Sequence, residues 1–211
     1  MSGYKIISLA DLNNSLEDEG RVREILSSFS CPYNQDIEFF IKKKALEFDK
    51  QGISSTHLVL SSYKEEDVIV GYFTLANKYL QIKRKNLSKS YFKKAKKFGV
   101  YQSDIDSVTI SMPLIAQLSK NFSKGYDNLI TGDELLFFAC EKVREAQQLI
   151  SGRLVYIECE DKENLLSFYS DNGFVNIGKR ELEKSEKTMY SGKYLIQMMK
   201  YLHDDRYKIN K

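Results

Sequence analysis

Between residues 107 and 157 the chain passes from a β-rich run (107–112) through a second apolar stretch (114–118) and a polar loop (119–131) into a long helical pattern. It then enters another β-rich run at 154–157. Leu135, Leu136, Ala139, Val143, Ala146 and Leu149 recur at three-to-four residue spacing, which predicts a helix from about Gly132 to Ile150 with one apolar face. A helix of this kind between strands has to bury its apolar face on a sheet, so purely helical and purely β architectures are excluded.

The rest of the pattern agrees. Asp36 is placed to cap a helix carrying Ile37, Phe40, Ile41, Ala45 and Phe48, with Gly52 as its stop. Residues 56–60 and 68–75 flank the charged turn Lys64-Glu65-Glu66-Asp67 and read as a hairpin. Downstream, Leu165, Leu166, Phe168 and Tyr169 fall on a short helix, Asn172-Gly173 turns, and residues 174–177 and 194–199 are strands. No repeat or linker divides the chain. The prediction is a single domain over residues 1–211 of the α/β (α+β) class, its central sheet mixed, mostly antiparallel and flanked by helices.

With 11 Gly, 2 Pro and 3 Cys in 211 residues, collagen-like and disulfide-scaffold chains are ruled out. No apolar run approaches the ~20 residues of a membrane span, and Met1-Ser2-Gly3-Tyr4 does not open a signal peptide. A cytoplasmic protein with no membrane partner is expected. Cys31, Cys140 and Cys159 are odd in number, far apart and without a C-x-x-C pair, which predicts reduced, buried thiols and no metal site. His57 and His203 have no catalytic signature around them and read as a hairpin residue and a tail residue.

Charge is distributed unevenly. The net charge is +3, yet every charged residue from Lys78 to Lys97 is basic: Lys78, Lys83, Arg84, Lys85, Lys89, Lys93, Lys94, Lys96 and Lys97. These nine exceed the net charge of the whole chain and leave the remainder acidic. Read as a basic insertion between strands, over about residues 78–106, the segment is either a lysine-solubilised surface or a contact for a polyanion. On the second reading Lys85, Lys89, Lys93, Lys94, Lys96 and Lys97 would meet nucleic-acid phosphates, and the interleaved aromatics could stack on bases.

The stretch Phe168-Tyr169-Ser170-Asp171-Asn172-Gly173-Phe174 resembles the Phe-Tyr-x-x-x-Gly-Phe signature of the Gcn5-related N-acetyltransferases (the GNAT fold), and the order of elements around it is similar too. The region from Ala45 to Leu60 and the strand Val70-Gly71-Tyr72-Phe73-Thr74-Leu75 look like the toxin-type members, which acetylate the amino group of aminoacyl-tRNA. The resemblance implies acetyl-CoA (coenzyme A) as donor, a primary-amine acceptor such as one carried on tRNA, and the homodimers common in the family. It makes Tyr169 the general acid that protonates the departing thiolate. On the plain alternative, Phe168 and Tyr169 are adjacent core aromatics.

The family's pyrophosphate pattern, Gln/Arg-x-x-Gly-x-Gly/Ala, falls on Asp127-Asn128-Leu129-Ile130-Thr131-Gly132, where only the last glycine is kept. Ile130 can still offer its N–H if its φ stays negative, and Lys124-Gly125 lie near enough to compensate. The implied cofactor set is therefore Leu118 and Lys120 at the strand end, then Lys124, Gly125, Asn128, Leu129, Ile130, Thr131 and Gly132 in the loop, with Phe168 beside the acid. The alternative is a plain loop in which Asp133 and Glu134 are ordinary first-turn acids. No acid lies between Val108 and Leu118 to serve as base, which favours an α-amine. Glu158 and Glu160 flank Cys159 at a strand end and could face the same cleft. Two further functions fit the sequence: acetylation of a small amine such as a polyamine or an aminoglycoside, and a GNAT-like domain that has lost catalysis and binds nucleic acid or protein.

Overall fold

The computed structural model describes residues 3–182 and 193–202. In chain order it comprises β1 (Lys5–Ser8), α1 (Leu9–Leu16), α2 (Glu19–Ser27), α3 (Gln35–Phe39), a π-helical turn (Phe40–Lys44), α4 (Ala45–Lys50), β2 (Ser55–Tyr63) and β3 (Glu66–Lys83). There follow α5 (Lys89–Phe98), β4 (Val100–Gln102), β5 (Ser107–Lys120), α6 (Gly132–Ile150), β6 (Leu154–Cys159), α7 (Glu163–Asp171), β7 (Val175–Glu181) and β8 (Tyr194–Tyr201). The strand order is β1-β2-β3-β5-β6-β8-β7, with β4 added to β5. The pairs β1–β2, β2–β3, β4–β5, β6–β8 and β7–β8 are all antiparallel. His203 and the tail after it lie outside the described residues.

The contacts group into two compact units. The first holds Met1–Ala76 and Ile115–Ala139, and the second holds Asn77–Leu114 and Cys140–Lys211.

In the first unit, α1 to α4 pack Leu9, Val22, Leu26, Phe29, Ile41, Ala45 and Leu46 against Leu58, Ile69 and Tyr72 of the hairpin. Burial of each large apolar side chain contributes roughly 1.5–3 kcal/mol. Tyr72 also stands edge-on to Phe29 at 5.0 Å and donates from its hydroxyl to Ile37 O (2.8 Å). The expected helix over 37–48 is present, but its cap is Asn34, whose side chain accepts from the N–H groups of Asp36 and Ile37. Asp36 is already inside the first turn. The β1-α1-α2 stretch, on which the sequence pattern was silent, is closed by the side-chain caps Ser8 and Asp18.

In the second unit the basic segment is not wholly an insertion. β3 runs on to Lys83, so Lys78 and Lys83 belong to the strand, and the excursion begins at Arg84 with a 3-10 turn leading to α5 and β4. Ser88 caps α5 by accepting from Tyr91 N–H. The β-rich run at 107–112 and the apolar stretch at 114–118 form one strand, β5, which includes Pro113. The long helix has the expected bounds, but its last turn does not follow the apolar face. Leu149 is 89% exposed and Ala146 is exposed, while Gln147 is buried and donates to Leu154 O (2.8 Å).

Gly99 ends α5 where only a hydrogen fits, since a Cβ there would lie 2.5 Å from Thr109 O and 2.9 Å from Ile110 Cβ. Gly99→Ala is expected to lower stability by roughly 2 kcal/mol, the cost of overpacking against backbone. A urea midpoint equal to that of the parent chain would mean that α5 lifts from β5 without penalty. On β7, Gly178 has φ +139° and follows a bulge at Ile177, whose carbonyl accepts from Asn86 Nδ2 (2.8 Å).

Candidate functional site

The first unit holds the loop expected to bind the pyrophosphate. Asn121, at the end of β5, is fully buried and organises the loop's entry. Its Nδ2 donates to Ile69 O (2.8 Å), and its Oδ1 accepts from Ser30 N–H and Ser123 N–H, each at 3.0 Å. Sequence reasoning passed over this residue, because an isolated Asn after a strand carries no pattern. Lys120 does not project freely from the strand end, since its Nζ donates to Asp127 O (2.9 Å). Lys124 and Gly125 take left-handed conformations (φ 52° and 76°), and Asn128 Nδ2 donates to Gly125 O (3.2 Å). Leu129 O accepts from the Tyr4 hydroxyl (2.8 Å).

Ile130, standing where the pattern has glycine, adopts φ −146° and is only 3% exposed. The negative φ that its N–H required is therefore met, and its bulk is turned inward. Leu118 lies half-buried on β5, two residues before Lys120.

At the head of α6, Thr131 and Glu134 form a reciprocal cap. Thr131 N–H and its hydroxyl both donate to Glu134 Oε2 (2.8 Å each), and Glu134 N–H donates to Thr131 Oγ1 (3.1 Å). Donation from Thr131 holds the Glu134 carboxyl below its usual range. One of the N–H groups expected for phosphate thus meets a carboxylate of the chain itself, and Gly132 opens the helix immediately behind it.

The second unit holds Tyr169 on α7. The ring is buried, edge-on to Phe168 (5.0 Å) and to Phe174 (5.7 Å). Burial pushes its phenol well above the usual range, with Cys159 and Cys140 adding to the effect. The hydroxyl is protonated at neutral pH, as any ordinary phenol is, and burial makes it a weaker acid. All three cysteines are free and buried; burial pushes the Cys159 thiol up to about 11 and raises that of Cys140 as well. Such thiols are poor nucleophiles.

Glu158 is committed to Arg180 through Nε (2.9 Å) and Nη2 (2.7 Å) and accepts from Gln197 Nε2 (2.8 Å). Glu160 pairs with Lys162 at 2.7 Å. Neither carboxylate stands ready as a base. His57, in the first unit, stacks on Phe73 at 5.1 Å. No cluster of His, Cys, Asp and Glu suited to a metal ion occurs among the described residues, and none of their helices is long and apolar enough to cross a membrane.

The second unit also holds the basic segment. Lys85, Lys89, Lys93, Lys96 and Lys97 are exposed and Lys94 is half-buried. Among the described residues, none of the nine cations from Lys78 to Lys97 is in an ion pair. The aromatics expected to be available for bases are instead occupied. Arg84 lies 4.4 Å over the Phe92 ring, Lys96 lies 5.0 Å from Tyr101, and Lys94 lies over both Tyr91 (5.0 Å) and Tyr201 (4.4 Å). Tyr79 is the exception, being exposed on β3.

No protein-family model matches the sequence, and no curated protein does. Solved structures do match. AtaT complexed with acetyl-methionyl-tRNAfMet is 17% identical over 92% of this chain and 94% of its own, with a TM-score of 0.59. A tyrosine-to-phenylalanine variant of KacT is 16% identical over 94% of this chain and 95% of its own, with a TM-score of 0.60. AtaTR bound with acetyl-CoA is 14% identical over 92% of this chain and 91% of its own, with a TM-score of 0.53. At these identities the likeness establishes architecture: the chain has the fold of the Gcn5-related acetyltransferases in the form seen in AtaT and KacT.

Proposed function

We propose that the chain is a cytoplasmic N-acetyltransferase that takes acetyl-CoA as donor and acetylates a primary amine, the α-amine of an aminoacyl-tRNA. The observation that carries this reading is the place of Tyr169 on α7, at the Gly173-Phe174 spacing that the family uses for its acid. Bound acetyl-CoA would supply an acetyl group activated as a thioester. Leu118 and Lys120 would border its pantetheine arm. The segment from Lys124 through Gly125, Asn128, Leu129, Ile130 and Gly132 would hold the pyrophosphate on backbone N–H groups, Thr131 would join them only on release of its N–H by Glu134, and Phe168 would flank the reacting end. As the amine formed its bond to the acetyl carbonyl carbon and the carbon–sulfur bond broke, Tyr169 Oη would pass its proton to the leaving sulfur, and the proton shed by the acylated nitrogen to solvent would be balanced by one that returns the phenolate to phenol. An α-amine has a pKa near ~8, so enough is neutral at pH 7 to react without a dedicated base. That agrees with Glu158 and Glu160 both being committed to ion pairs. The unpaired cations of the second unit suit the phosphates of tRNA better than a cationic polyamine or aminoglycoside.

The test is a thermal shift with acetyl-CoA, coenzyme A and ADP in parallel, followed by transfer of labelled acetyl to charged tRNA. A rise in melting temperature with the first two that exceeds that with ADP supports the donor site through linkage. No shift at millimolar ligand would overturn the enzyme reading. It would instead favour a GNAT-like module that binds nucleic acid without catalysis, for which the Glu134 carboxylate on Thr131 N–H is the specific supporting observation.

A further inference from the structure

Beside the basic helix, the second unit carries a sheet surface that the proposed chemistry does not use. On β3, Leu80 and Ile82 are buried, while Asn77, Tyr79, Gln81 and Lys83 alternate with them on the other face and are exposed. Side-chain hydrogen bonds tie that face together: Asn77 Nδ2 donates to Ser111 Oγ of β5 (3.0 Å), Gln81 Nε2 donates to Gln102 Oε1 of β4 (3.2 Å), and Thr109 Oγ1 donates to the same oxygen (2.9 Å). Tyr79 stands between Asn77 and Gln81 and is 82% exposed; Val100, opposite Thr109 on β4, is 70% exposed. α5 packs on the opposite side, where Phe92 meets Tyr101 edge-on at 5.4 Å. A large aromatic ring thus stands exposed on a sheet face that otherwise carries amide and hydroxyl groups.

We propose that this face is a platform for unpaired nucleotides, with Tyr79 stacking on a base and the surrounding amides and hydroxyls meeting base edges and sugar. It rests on the reading of the acceptor as an RNA and names the surface that would hold that RNA's single-stranded portion. Charge supports the occupant. Lys83 lies on the same face as Tyr79 and Lys85 comes just past the strand's end, and neither pairs with a described carboxylate. Asp104 and Asp106, in the turn after β4, are the nearby acids by sequence, and the Asp106 carboxylate accepts from the Tyr101 hydroxyl (2.8 Å). Base–aromatic stacking tolerates any base, and duplex nucleic acid hides the faces it needs.

The experiment is fluorescence anisotropy of a labelled 12-nucleotide oligouridylate and of a 12-base-pair RNA duplex. It would be run on the parent chain, Tyr79→Ala and Tyr79→Phe, over a range of salt concentrations. We expect Tyr79→Ala to lose about 5- to 100-fold in affinity for the single strand, the usual effect of removing one stacking ring. Tyr79→Phe should stay within about twofold, and the salt slope should not change, since no charge is removed. Because Tyr79 is exposed, both variants should melt where the parent does. Equal affinity of Tyr79→Ala, a preference for the duplex, or a change of oligomeric state in Tyr79→Ala with unchanged RNA affinity would each overturn the platform. The assay contains no acetyl-CoA, so a chain that binds oligouridylate through Tyr79 yet fails the donor thermal shift loses the enzyme reading and keeps this one.

Discussion

Tyr169→Phe is expected to slow acetyl transfer by about 10²–10⁴-fold, the usual contribution of a positioned proton donor, while leaving acetyl-CoA affinity within about twofold. The two effects separate because the hydroxyl is proposed to act on the leaving sulfur alone, whereas the proposed pyrophosphate contacts are backbone N–H groups that the substitution leaves in place. Folding should be undisturbed, since phenylalanine keeps the edge-on contacts to Phe168 and Phe174 and removes a hydroxyl that burial already disfavours as an ion. The pH profile gives a second readout. A raised phenol pKa means that the donor form is fully present at neutral pH and is lost only as pH climbs through the raised value. The parent enzyme should therefore show no alkaline fall assignable to Tyr169 below about pH 10, the ordinary phenol range. Single-turnover transfer of labelled acetyl measures both effects, and a full rate in Tyr169→Phe removes the assignment.

A comparable effect is expected when Lys85, Lys89, Lys93 and Lys97 are all changed to Glu. These four are exposed and, among the described residues, unpaired, whereas Lys94 and Lys96 lie over aromatic rings and help to seat α5. Each phosphate contact contributes about 0.9 to the slope of log affinity against log salt on duplex nucleic acid. Loss of four contacts should flatten that slope by about 3 to 4 and weaken tRNA binding on the order of 10³-fold near 0.1 M salt. Filter binding across a salt series, with melting temperature as the folding control, reads the result. An unchanged slope would reduce the segment to a solubilising surface.

The sequence disclosed what strict periodicity or a fixed spacing encodes. The bounds of α6 came from its apolar stripe, and the turn from Tyr169 to Phe174 came from a motif in which helix, turn and strand are each under local control. Periodicity places Ala146 and Leu149 on the apolar face but does not say where along the helix that face stops being covered, and both are exposed. Asp36 and Asn34 are equally good caps by composition, and only the tertiary path of the preceding loop selects Asn34. Lys78 and Lys83 read as insertion because charge masked the alternation of Leu80 and Ile82, which holds β3 in register. At the loop, the replacement of glycine by Ile130 is visible in the sequence, but the burial of its side chain is not. The hold of Glu134 on Thr131 N–H is a reciprocal contact that either residue alone leaves unspecified.

The bulge on β7 bears on how these molecules meet one another. β7 ends the strand order, and a terminal strand with a regular row of free N–H and C=O groups can recruit the same strand of a neighbour, the first step toward fibrils. Here the row is broken at Ile177, whose carbonyl is occupied by Asn86, and by the left-handed turn of the backbone at Gly178. What remains is Val175 and Asn176 on one side and Lys179 to Glu181 on the other, two short runs in place of one continuous edge. Asn86 thereby acts as a guard on the β7 end of the sheet, where a strand from a second molecule finds no continuous row to join.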